Sequence, residues 1–255
     1  MVYKVNNTNK VAALFHNWQE TLIWSCLQNI MGSIYSDSIE YPLSAMAILG
    51  DFCFLAGQPN IELIRYKPKE CLNDSIIMVP QNDKWADLIE QELGEKAQKV
   101  MRYAIKKEQG IFDRDKLYKV VESLAPEYAL RLIDEDIYHM CKSNAWSMDL
   151  VSQYNDYEVY KKMGLGVAIL KDGTLLSGAS SYSSYDNGIE IEIDTMEEYR
   201  RNGLAYICGA KLILECLDRD LYPSWDAQNK WSVALAEKLG YHYDHDYIAY
   251  EVCGY

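Results

Sequence analysis

Residues 189–194 read Ile-Glu-Ile-Glu-Ile-Asp, a strict alternation of branched apolar and acidic side chains. Successive side chains of a strand point to opposite faces of the sheet. Ile189, Ile191 and Ile193 therefore face one way, and Glu190, Glu192 and Asp194 the other. A helical period would mix the two sets. Two more strands precede this one. GLGVAIL enters a turn at Lys171-Asp172-Gly173, and TLLSGASSYSSY returns to a second turn at Asp186-Asn187-Gly188. Three strands joined by tight turns make an antiparallel meander.

The residues after the third strand narrow the chemistry. Thr195 ends the strand, and Arg200-Arg201-Asn202-Gly203-Leu204-Ala205 forms a turn and the start of a helix whose Ile207, Ala210, Leu214 and Leu217 share one face. A glycine-bearing loop at a helix start can aim several backbone N–H groups at one anion. Gly203 removes the side chain that would block close approach, Ala205 keeps the next contact small, and Arg200 and Arg201 add positive charge. Such contacts suit a pyrophosphate. The same residues also describe a helix that merely starts after a loop with two surface arginines. There is no GxxxxGK[ST] and no GxGxxG, which argues against a P-loop nucleotide hydrolase and a dinucleotide fold.

Beyond the helix, residues 221–225 read as a short strand and 227–239 as a helix with Trp231, Leu235 and Leu239 on one face, stopped by Gly240. YDHDYIAYEV is the final strand. The order is strand, strand, strand, helix, strand, helix, strand.

This order, with Arg200-x-x-Gly203-x-Ala205 after the third strand, resembles the GCN5-related N-acetyltransferase (GNAT) superfamily. A second signature agrees: Asn229 is followed eleven positions on by the Gly of Leu239-Gly240-Tyr241. The stretch PSWDAQNKWSVALAEKLGY is similar to a two-part subgroup that includes relatives of the zwittermicin A resistance acetyltransferase. The resemblance covers roughly residues 140–255. It implies an α/β (α+β) fold with a mixed, mostly antiparallel central sheet flanked by helices, preceded here by a smaller N-terminal α/β domain. It implies acetyl-CoA as donor, with the backbone at Ile193, Asp194 and Thr195 pairing with the pantetheine arm. Arg200, Arg201, Asn202, Gly203, Leu204 and Ala205 would cradle the pyrophosphate, and Asn229 and Ser232 would line the far side of the arm. The third strand and the strand at 221–225 would splay apart around the thioester.

Acetyl transfer to an amine requires a neutral nucleophile, a donor for the carbonyl oxygen and a proton for the leaving sulfur. Glu190 and Glu192 are the base candidates, directly or through water; the alternative is that they face solvent or bind a cationic substrate. Many members of the superfamily carry a tyrosine seven residues after the asparagine, as acid for the thiolate, and this chain has Ala236 there. Tyr241, Tyr243 or water are the substitutes. That departure keeps a non-catalytic acyl-CoA binder as the alternative function. Trp146, Tyr154, Tyr157, Tyr182 and Tyr185 either line the acceptor pocket or pack as ordinary aromatics.

Asp and Glu number 38 against 25 Lys and Arg, a formal charge of −13. Such a chain repels phosphate backbones, which argues against nucleic acid as a partner; it attracts cationic small molecules, amines included, or the excess mainly provides solubility, and net charge alone does not choose the small-molecule amine acceptor that is expected. No apolar run is long enough for a membrane span and no secretory signal opens the chain. Seven scattered cysteines without a CxxC pair suit reduced thiols, so a cytoplasmic protein is expected. His242 and His245 lack partners at metal-site spacing, so no metal is expected. A homodimer is left open.

The first part is less informative. Residues 11–31 are expected to form an amphipathic helix through Leu14, Trp18, Leu22 and Cys26, 43–56 a hairpin broken at Gly50-Asp51, and IELIRY and SIIMVP two short strands. DKWADLIEQELG reads as a helix and 98–106 as a strand; 112–144 looks mostly helical with a boundary at Pro126. The segmentation is 1–110, an α/β domain of unknown role; 111–139, a helical connection; and 140–255, the acetyl-CoA-binding domain. A diverged copy of the same fold is one reading of 1–110.

Overall fold

A computed structural model describes residues 1–69, 71 and 74–255. The chain divides into two compact units, Met1–Arg102 with Asp246–Tyr255, and Tyr103–His245.

The first unit opens with β1 (Tyr3–Lys4), two 3-10 turns (Thr8–Lys10 and Ala12–Phe15) and α1 (Thr21–Leu27). The single helix expected over 11–31 is thus broken. Asn17 sits at φ 64, in the left-handed region that a helix interior excludes and asparagine tolerates. Next come β2 (Ser33–Ser36), β3 (Ser44–Leu49), β4 (Phe52–Gly57), α2 (Ile61–Ile64), β5 (Ser75–Pro80), α3 (Asp83–Leu93) and β6 (Ala97–Ile105). IELIRY is a helical turn rather than a strand, because Asn60 caps it by accepting from the Glu62 N–H at 2.9 Å. β1 through β4 pair antiparallel in chain order, and β5 joins β4 in parallel. A core of Met46, Leu55, Met78, Trp85, Ile89 and Tyr250 fills this unit.

The second unit contains α4 (Arg114–Glu122), β7 (Ala129–Leu132), α5 (Glu135–Ser143), α6 (Tyr157–Met163), β8 (Gly166–Lys171), β9 (Thr174–Tyr185), β10 (Gly188–Thr195) and α7 (Leu204–Leu217). It continues through β11 (Tyr222–Ser224), β12 (Asp226–Ala227) and α8 (Lys230–Leu239). β7 interrupts the region expected to be helical. It is four residues long and mostly exposed, so no buried alternation marks it, and its pairing with β8 defines it. The sheet order is β11-β10-β9-β8-β7, antiparallel except for the parallel β10–β11 pair. α7 packs on β8, β9, β10 and β11, burying Leu204, Ile207, Cys208, Ile213 and Cys216 against Ile189 and Ile191. At about 25 cal/mol per Å² of apolar surface, each of the Leu and Ile burials is worth roughly 1.5–3 kcal/mol. α8 begins at Lys230, and Trp231 is 85% exposed rather than part of its buried face; Ala236 and Leu239 fill that face.

The last strand, β13 (Tyr243–Cys253), returns to the first unit, where Tyr250–Cys253 pair antiparallel with β5. Reciprocally, Tyr103 and Ala104 at the end of β6 pair with β12 in the second unit. The units repeat one topology: an opening strand, a helical segment, three antiparallel strands, a helix, a parallel strand, a helix and a final strand. β13 belongs to the first unit from Asp246 on, and β6 to the second from Tyr103 on.

Candidate active site

The β10–β11 ladder pairs Gly188 with Tyr222, Ile189 with Pro223 and Glu190 with Ser224, and ends there. β12 then turns to pair with β6 instead. The two parallel strands therefore diverge beyond Glu190, while β9 continues along the other side of β10 to Thr195. Trp225, at the point of divergence, is buried and donates its indole N–H to Ser232 Oγ at 3.0 Å. Asn229 caps α8, its side-chain oxygen accepting from the Ser232 N–H at 3.0 Å, which leaves its Nδ2 for a ligand.

The strand end is fastened by its own side chains. Thr195 Oγ1 and Ser177 Oγ lie 2.7 Å apart. Asp194 accepts from the Thr195 N–H at 2.6 Å, and partial burial raises its pKa against the opposing pull of that N–H and of Arg200. Arg200 reaches back, donating Nε–H to the Thr195 carbonyl at 3.1 Å. Arg201, Asn202 and Gly203 are exposed, with Arg201 at φ 64 and Gly203 at φ 80. A β-carbon on Gly203 would meet no atom within 4 Å, so the space in front of the loop is open. The first helical backbone bond here is from Ile207 to Gly203, 3.1 Å, which leaves the N–H groups at the start of α7 for an external acceptor. Leu204 anchors the helix start in the core and Ala205 is half-buried. An anionic, elongated ligand fits a cradle built in this way.

On β10, Ile189, Ile191 and Ile193 join the core beneath α7, as the alternation requires. Opposite them, Glu190 is 8% exposed, and Glu192 and Asp194 are half-buried. This acidic face is covered by the turn Met148–Leu150, which packs on β9 and β10. Glu190 is surrounded by phenols: its charge helps raise the pKa of Tyr185, Tyr222 and Tyr241, although burial is the first cause in each. Tyr241 donates to the Pro223 carbonyl at 2.6 Å inside the core. Ala236, on the buried face of α8, is fully buried.

Of the aromatic candidates, Tyr154 is fully buried, with its hydroxyl 2.7 Å from Ser181 Oγ, and Tyr157 packs on Tyr138. Tyr185 is spent on Ser224, 2.6 Å away, and Tyr182 is buried. Trp146 is half-buried. Ser183 and Ser224 carry no sequence signature; only the register brings them to Glu190.

In the first unit the corresponding β4–β5 ladder runs from Phe52 to Leu55 without divergence, and the Gln81 N–H extends it to the Leu55 carbonyl at 3.0 Å. Gln81 Oε1 then accepts from Gly57 N–H at 2.9 Å, and Trp85 Nε1 donates to the Gly57 carbonyl at 3.0 Å. Side chains close the place where the second unit opens.

Among the described residues no helix is long and apolar enough to cross a membrane. Residues 12–250 match the sequence profile described as GNAT acetyltransferase. The N-acetyltransferase YdfB of Bacillus subtilis strain 168, described as uncharacterized, is 28% identical over 241 residues, 90% of this chain and 89% of that protein. A GCN5-related N-acetyltransferase-like protein from Streptococcus suis superimposes with a TM-score of 0.91 at 48% identity, covering 96% of this chain and 98% of that one. A tandem GNAT protein from the clavulanic acid biosynthesis pathway shares the fold alone, with a TM-score of 0.58 at 10% identity over 100% and 99% of the two chains.

Proposed function

Since the chain belongs to the GNAT acetyltransferase family and is an N-acetyltransferase, whose donor is an acyl-CoA, we propose that it moves an acetyl group from acetyl-CoA to a primary amine of a small molecule, by direct attack in a ternary complex. The observation that carries this reading is the divergence of β10 and β11 beyond the Glu190–Ser224 rung, with the open Gly203 loop at the end of the same strand.

The backbone of Ile193, Asp194 and Thr195 borders the arm of the donor. The N–H groups from Arg201 to Ala205 hold the pyrophosphate, Arg200 fixes the loop start to Thr195, and Asn229 and Ser232 face the other side of the arm. The thioester then lies where the strands part, beside Glu190, with Glu192 one rung further. One of these carboxylates takes a proton from the bound ammonium. The neutral nitrogen attacks the thioester carbon, the carbon–sulfur bond breaks, and the second proton that nitrogen sheds as the amide forms ends on the sulfur. This balance uses no hydroxyl at position 236, and Tyr241, committed to Pro223, is not needed as the acid.

The acidic face of β10 supports a cationic acceptor, and the similarity to the zwittermicin A resistance subgroup supports a small molecule over a protein tail. The net charge of −13 disfavours nucleic acid, and a membrane has no part in this reading. The reduced thiols fit a cytoplasmic site of action. The test is a thiol-release assay with acetyl-CoA and a panel of small primary amines. Release that depends on the amine and yields its N-acetyl product supports the reading. Binding of acetyl-CoA without transfer to any amine contradicts it.

A further inference from the structure

Four serines lie beyond Ala179 on β9, and they differ in how their hydroxyls are used. Ser180 Oγ lies 2.8 Å from Tyr160 Oη; Ser181 Oγ lies 2.7 Å from Tyr154 Oη and accepts from the Leu165 N–H at 3.0 Å; Ser184 Oγ donates to the Met163 carbonyl at 2.6 Å. Ser183 is fully buried, and its Oγ has no hydrogen-bond partner among the described residues. A buried hydroxyl left this way has given up its hydration without a replacement. Such a group in a folded protein calls for a reason, and a ligand or a water supplies one.

The register says where this hydroxyl stands. Gly178 pairs with Asp194, Ser180 with Glu192 and Ser183 with Glu190, and directly opposed residues share a face. A bulge between Glu190 and Ile191 absorbs Tyr182, which keeps Ser183 on the acidic face instead of passing it to the core. The same face is identified independently by Leu150, whose side chain lies where a β-carbon on Gly178 would project. Ser183 is therefore the cross-strand neighbour of Glu190, at the rung where β11 leaves β10.

We propose that Ser183 binds the acceptor nitrogen beside Glu190, which makes the β9–β10 rung the subsite for a primary ammonium. The inference rests on the acetyl-transfer reading and adds its acceptor contact. The ammonium donates one N–H to the Glu190 carboxylate and a second to Ser183 Oγ. Once the first proton has passed to the carboxylate, Ser183 still holds one of the two remaining N–H groups, which fixes the direction of the lone pair. A tertiary or quaternary amine cannot make both contacts.

The test uses methylammonium chloride as the probe and crystals of the full chain with CoA bound, for the wild type and Ser183→Ala. The expected result is a nitrogen within about 3 Å of both Ser183 Oγ and a Glu190 oxygen in the wild type, lost in the variant. With methylamine as acceptor, Ser183→Ala raises KM by about tenfold, the equivalent of 1.4 kcal/mol, and Ser183→Thr restores much of the loss. Methylammonium bound elsewhere, or bound equally in both proteins, overturns the proposal. Calorimetry with acetyl-CoA on the same samples separates the two failures: a wild type that does not bind the donor removes the acetyl-transfer reading, whereas intact donor binding with no nitrogen at Ser183 removes this one alone.

Discussion

Tyr185 Oη and Ser224 Oγ are 2.6 Å apart, although the residues belong to β9 and β11 and β10 lies between them. The phenol crosses over Gly188, where a β-carbon would come within 2.2 Å of the ring. This bond fastens the parallel strand at its last rung and so sets where the two strands part. Tyr185→Phe is expected to cost about 1 kcal/mol of stability, more if Ser224 is left without a partner, and to weaken acetyl-CoA binding. Gly188→Ala is expected to cost more than Tyr185→Phe, since the ring has to move. Denaturant unfolding with calorimetric titration checks both.

Glu190→Gln and Glu192→Gln separate the two base candidates. The variant that removes the base is expected to lower kcat by about 10²–10⁴ with donor affinity kept. Its pH–rate profile is expected to lose the acidic limb. The other variant is expected to change mainly KM for the amine. A kcat unchanged in both would remove a carboxylate base from the account.

One chain is expected to bind one donor. The first unit repeats the topology of the second, but its parallel strands stay paired and Gln81 and Trp85 close over Gly57. Its counterpart of α7 is the four-residue α2. Trp85→Ala is expected to destabilise by about 3–5 kcal/mol, as a large buried ring lost from a core. Gln81→Ala tests the closure more gently, and titration of that variant is expected to give one site still.

Alkaline pH is expected to destabilise the fold. Burial pushes the thiols of Cys26, Cys141, Cys208 and Cys216 up to about 12. The folded state thus holds these protons more tightly than the unfolded chain does. The associated stability is complete below about pH 8.5, the ordinary thiol value. It declines as pH rises from there towards 12, by about 1.4 kcal/mol per pH unit for each thiol. Thermal melts followed by circular dichroism between neutral pH and pH 11 check this; a melting temperature flat across that range would contradict it.

Much of the second unit was legible in the sequence because its signals are local. Alternation at 189–194, turn residues at Asp172-Gly173 and Asn187, and the glycine-bearing helix start each act within a few residues. The features that escaped depend on distant partners. The short strand β7 is defined by β8, the exposure of Trp231 by what fails to cover it, and the exchange of β6 and β13 by pairings more than a hundred residues apart. The helix expected over 11–31 failed for a local reason, since periodicity carries no mark of a left-handed residue such as Asn17. In the candidate site, the carboxylates and the loop were readable from their own residues. Ser183 and Ser224 were not, because only the register, including a bulge, brings them to Glu190.

The most direct measurement is calorimetric titration of the full chain with acetyl-CoA, beside the double variant Arg201→Glu, Gly203→Asp. The account predicts micromolar binding at one site per chain in the wild type and its loss in a variant that still unfolds cooperatively. No binding by a cooperatively folded wild type, or binding that survives the double substitution, would contradict it.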